Sequence, residues 1–119
     1  MKRVLWISRH EMTPEQRADL ERALGDSVAL SVWADTVEDL SALRPALDAA
    51  DAVAAVLPVN LLAELLDLAG EKMVLRSVSR RVDEGRFRTL PDGRTEREFS
   101  YVHLYWEQVL RLRLETRRL

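Results

Sequence analysis

The chain has 119 residues, 47% hydrophobic and 32% charged, a balance that suits one continuous core and excludes disorder. It has no cysteine, which excludes disulfides and thiolate metal sites, and its two histidines lie in no carboxylate cluster, so neither metal nor cofactor is expected. The net charge of −2 hides an asymmetry: residues 1–70 hold 6 basic against 12 acidic side chains, whereas residues 71–119 hold 12 against 8.

Residues 3–8 form a short apolar run ended by polar residues, the pattern of a parallel strand buried on both faces. Thr13-Pro14-Glu15-Gln16 then carries three helix-start signals: a threonine N-cap, a proline in the first turn and a glutamine three residues after the cap. Ala18, Leu20, Ala23 and Leu24 supply the buried stripe, and Gly25 stops the helix. Residues 28–33 read as the second strand. A second helix is expected from Thr36, with Leu40, Leu43 and Leu47 at helical spacing and Pro45 kinking or splitting it. Residues 52–57 form a third strand, apolar throughout. Pro58-Val59-Asn60 turns the chain into a third helix over 61–69, closed by Gly70. The fourth strand is expected over 72–82.

Beyond it the pattern changes. Residues 87–90, the turn Pro91-Asp92-Gly93-Arg94 and residues 95–106 read as a hairpin. Residues 109–115 alternate apolar and charged side chains and are expected to form a last strand with one solvated face. The order is strand and helix in alternation, then antiparallel strands. It predicts one three-layer α/β domain over 1–119, parallel in its N-terminal part and antiparallel at the C-terminus. No apolar run approaches the roughly 18 residues of a membrane span. The first residues enter a strand directly, so a cytoplasmic chain without a signal peptide is expected.

In an open parallel sheet, ligands bind beyond the carboxyl ends of the strands, where strand order reverses. That rule selects three loops. The first holds Ser8, Arg9, His10 and Thr13, with Gln16 in the helix behind it. The second holds Pro58 and Asn60 at another helix N-terminus. Arg76, Ser77, Ser79, Arg80 and Arg81 lie on or just past the fourth strand. Helix N-termini and arginines facing one crevice make an anion site, because arginine meets phosphate in bidentate fashion. With four scattered glycines, a P-loop or dinucleotide fingerprint is excluded. His10 is the candidate for proton transfer, since imidazole titrates near neutral pH. His103 stands in an alternating strand and reads first as a satisfied sheet residue.

Two resemblances arise from these residues. Arg9-His10-Glu11 resembles the Arg-His-Gly-Glu turn of histidine phosphatases, but Glu11 stands where that family needs a glycine. Phosphotransfer through His10 is what it would imply. Ser8, His10, Thr13, Glu15 and Gln16, the pair Arg80-Arg81, and Phe99 with His103 resemble small CRISPR-associated ring nucleases related to the CARF domain. Arg9 stands between serine and histidine where several relatives read Ser-His directly. This resemblance implies a Rossmann-like (CARF-like) domain, working as a homodimer that binds a cyclic oligoadenylate, with neither a membrane nor a long nucleic acid as partner. It further implies metal-independent cleavage by a ribose 2′-OH, with His10, Arg80 and Arg81 catalytic. Ser8, Arg9, Thr13, Gln16, Pro58, Asn60, Arg76, Ser77 and His103 would then bind the ligand. A non-catalytic nucleotide-sensing or protein-interaction module is the other reading of the same residues.

Overall fold

A computed structural model describes residues 1–119. Strand β1 (Lys2–Ile7) lies inside the sheet, and its apolar run is divided between two cores. Val4 and Trp6 point one way, joining Leu20, Val28, Ala52, Ala54 and Leu75. Leu5 and Ile7 point the other way, among Leu40, Leu43, Leu47, Val53, Leu62, Leu65 and Val74. A strand covered on both faces has no position to spare for a polar residue, which is why the run is continuous.

Helix α1 (Pro14–Leu24) begins on the Thr13 cap and ends at Gly25, whose φ of 69° is the left-handed conformation that suits glycine. It covers the first core. Strand β2 (Val28–Trp33) follows. The second core lies under a 3₁₀ turn (Leu40–Leu43), helix α2 (Arg44–Asp48) and, after strand β3 (Ala52–Ala55), helix α3 (Val59–Ala69). Helices therefore flank both faces of the sheet. Strand β4 (Met73–Thr89) and strand β5 (Thr95–Gln108) complete it in the order β2-β1-β3-β4-β5, parallel except for the antiparallel β4–β5 pair. No helix is long and apolar enough to cross a membrane.

Four expectations need correction. Residues 36–39 are not helical: the Asp39 carboxylate accepts from Ser41 N at 2.9 Å and starts the 3₁₀ turn instead. Pro45 then falls in the first turn of α2, where its missing N–H costs nothing. Helix α3 begins at Val59, two residues early, with Pro58 as its N-cap. The fourth strand does not stop at 82. It runs on into the hairpin, with register shifts between Val78 and Ser79 and between Asp83 and Phe87, at the second of which Gly85 takes a φ of 69°.

The fourth correction concerns the tail: residues 109–115 form no strand. Gln108 lies opposite Leu75, Val109 N still donates to Val74 O at 2.8 Å, and β4 begins at Met73. Past that point no strand remains to pair with. Val109 and Leu112 pack onto the helix-side core, while Leu110 and Leu114 stay exposed.

Candidate functional site

Strand order reverses between β1 and β3. Their carboxyl ends stay joined, with Val56 N donating to Ile7 O at 2.9 Å, and Ser8 N donates to Trp33 O at 3.1 Å. Two depressions open there and share Ser8 and Val56. The larger, about 730 Å³, is lined by Trp6, Ser8, His10, Thr13, Gln16 and His103, with the carboxylates of Glu11 and Glu15 on the same wall. The smaller, about 260 Å³, is lined by Arg9, Thr36 and Pro58 among others.

The first loop is tied down by its own side chains. Ser8 is buried, and its Oγ accepts from His10 N at 3.1 Å, a local turn of the kind serine hydroxyls make. The Trp6 indole donates to His10 O at 2.8 Å. The backbone of His10 is thus anchored at both polar groups, while its imidazole has no hydrogen-bond partner in the protein and lines the cleft. Arg9 turns the other way and donates to the Thr36 hydroxyl. Thr13 and Gln16 form a reciprocal capping box, at 3.1 Å from Gln16 N to Thr13 Oγ1 and 2.9 Å from Thr13 N to Gln16 Oε1.

His103 faces the same cleft in a different state. Its side chain is 5% exposed, and both ring nitrogens are engaged: Nε2 with Asp19 Oδ2 at 2.8 Å, Nδ1 with Ser77 Oγ at 2.6 Å. Asp19 lies on α1. The hydrogen bond from His103, then one from Arg22, hold its carboxyl below the usual carboxylate range. Trp106 donates to Gln16 O at 2.8 Å and packs edge-on against Trp6, with ring centres 6.0 Å apart.

A bulge makes this arrangement possible. His103 and Trp106 are three residues apart, so strict alternation would send them to opposite faces. The register shifts between Val78 and Ser79: Tyr105 stays opposite Val78, His103 lies opposite Ser79, and Leu104 is the extra residue. Both rings can therefore meet α1.

The expected site residues fall into three groups. Ser8, His10, Thr13, Gln16 and His103 converge on the larger depression, with Ser77 hydrogen-bonded to Gln16 and His103 of its wall. Arg9 and Pro58 line the smaller one. The remaining four line neither. Asn60 is exposed in the first turn of α3, Arg76 pairs with Glu107, Arg80 makes no ion pair, and the Arg81 guanidinium lies 4.2 Å over the Phe99 ring. Asp19 was not anticipated. Its signal was the i, i+3 spacing from Gln16, which puts two polar residues on one side of α1 beside buried Leu20. Compared with protein-family models, curated proteins and solved structures, the chain matches none.

Proposed function

We propose that the two depressions bind a cyclic oligoadenylate and that the chain is a Rossmann-like (CARF-like) ring nuclease acting as a homodimer. One observation carries the reading: an anchored turn presents an unpartnered His10 imidazole in front of the N-terminus of α1, at the reversal of strand order. A nucleobase fits the larger, aromatic-walled depression, and phosphates fit the smaller one beside Arg9. A ribose 2′-OH attacks the adjacent phosphorus, His10 takes its proton, and the 5′-oxygen leaves and takes up a proton to become a hydroxyl, giving a 2′,3′-cyclic phosphate. A dimer would present these loops twice to a symmetric ring, and Arg80, which makes no ion pair, is free to meet a ring that spans two copies.

The test is incubation of the purified protein with cyclic tri-, tetra- and hexa-adenylate in EDTA. Linear products ending in cyclic phosphate are expected, slowed about 10²- to 10⁴-fold in His10→Ala. Neither binding nor cleavage at micromolar concentration would overturn the reading. A non-catalytic binding module is the second reading. It is favoured by Arg76 and Arg81, which are engaged with Glu107 and Phe99 and not with the cleft. It predicts thermal stabilisation by the ring, about 2.7 kcal/mol at a hundred times the Kd, without products.

A further inference from the structure

One wall of the larger depression is backed by a chain of hydrogen bonds that runs in a single direction. Thr13 N holds Gln16 Oε1, which turns the amide so that Gln16 Nε2 points at Ser77 Oγ, 3.3 Å away. Ser77 Oγ meets His103 Nδ1 at 2.6 Å, and His103 Nε2 meets Asp19 Oδ2 at 2.8 Å. Arg22 occupies the other Asp19 oxygen at 2.8 Å. An ionised carboxylate only accepts, so the ring proton belongs on Nε2. In the neutral ring Nδ1 must then accept, so Ser77 donates. Ser77 is partly exposed, and Gln16, Ser79 and His103, its three side-chain neighbours, all line the depression.

We propose that Ser77 is a nucleophile, with His103 as its base, Asp19 as the positioning carboxylate and the Gln16 amide as the oxyanion donor, acting on small uncharged carboxylic esters. The roles are those of a serine hydrolase, with the imidazole reversed so that Nδ1 faces the hydroxyl. Proton transfer requires only that the nitrogen facing the hydroxyl be the bare one. The substrate class follows from the lining: Glu11 and Glu15 repel an anionic acyl group, no Lys or Arg faces it, and Trp6, Val56 and Val102 offer apolar wall. In the first step Ser77 Oγ bonds to the acyl carbon and its proton passes to Nδ1. The ester C–O bond then breaks, and the leaving alkoxide takes that proton. Water next attacks the acyl carbon, passing a proton through His103 back to Ser77 Oγ as the acyl bond breaks. This activity stands independently of adenylate cleavage, because it uses neither His10 nor Arg9.

A fluorophosphonate probe reads it without a known substrate. One equivalent of label is expected on Ser77, mapped by peptide mass spectrometry, absent from Ser77→Ala and slowed on the order of 10³-fold in His103→Gln. Asp19→Asn should slow labelling without unfolding the protein, and Asp19→Glu, which keeps the carboxylate, should restore it in part. The proposal is overturned if folded wild-type protein takes no label or takes it on Ser79. It is equally overturned if His103→Gln labels at the wild-type rate. A negative adenylate assay leaves labelling untouched, so the two readings fail separately.

Discussion

His10 and His103 share one cleft but have opposite surroundings, and the difference can be tested through Asp19. The His10 imidazole is free and its backbone fixed, so its removal should spare the fold. His103 is hydrogen-bonded on both nitrogens, and its partner Asp19 has a carboxyl held below its ordinary value of 3.8 by His103 and then by Arg22. A depressed folded-state value gives stability that is present above the ordinary value and lost as pH falls through the depressed one. Asp26, Asp39 and Asp51 are lowered in the same direction: Asp26 by the chain's terminal ammonium, Asp39 by Ser41 and Asp51 by Arg3. Acid should therefore unfold the protein below about pH 4 as these carboxylates are protonated. Asp19→Asn should lower the urea midpoint at pH 7, and the gap from wild type should narrow as the pH drops below that point. Equilibrium unfolding at stepped pH checks this, and a gap that stays constant would remove Asp19 from the acid response.

Helix α1 shows how one element joins stability to the site. Its capping box satisfies first-turn donors and also aims the Gln16 amide at Ser77. Thr13→Ala should cost about 1 kcal/mol in urea unfolding. It should leave Ser77 labelling near the wild-type rate, because the Thr13 backbone N–H that orients the Gln16 amide is retained. This helix was readable in advance, since threonine, proline and glutamine act through sequence-local geometry. Strands β1 and β3 were readable too, because a strand buried on both faces leaves an unbroken apolar run. The bulge at Leu104 was not. It depends on the register between two strands, and that register is what turns His103 toward Asp19. Register also explains the arginines of the second half. Arg76 lies across from Glu107, Arg88 from Glu96 and Arg97 near Asp83, so several of these arginines are held in cross-strand pairs. Composition counts the basic side chains but does not show which of them the hairpin ladder already pairs.

The shape of the whole molecule follows from that hairpin. A compact chain of this length has a radius of gyration near roughly 13.5 Å, whereas this one has 16.6 Å and extents of 47 × 46 × 23 Å. The excess lies in β4 and β5, which outrun the three parallel strands beside them. Beyond Ser79 the hairpin loses its third layer and leaves Phe87, Phe99, Tyr101 and Val102 exposed. Two strands without a covering layer are marginally stable in water. Backbone amides of β1 and β3 should therefore exchange only through global unfolding, while those of residues 83–97 open locally and exchange at least about 100-fold faster. Hydrogen exchange at two protein concentrations reads both this gradient and the proposed homodimer. Protection in the outer hairpin that rises with concentration means a second copy covers these exposed side chains. Protection that stays low at every concentration places any dimer contact elsewhere on the molecule, and then the ring would have to be held by the strand-end loops alone.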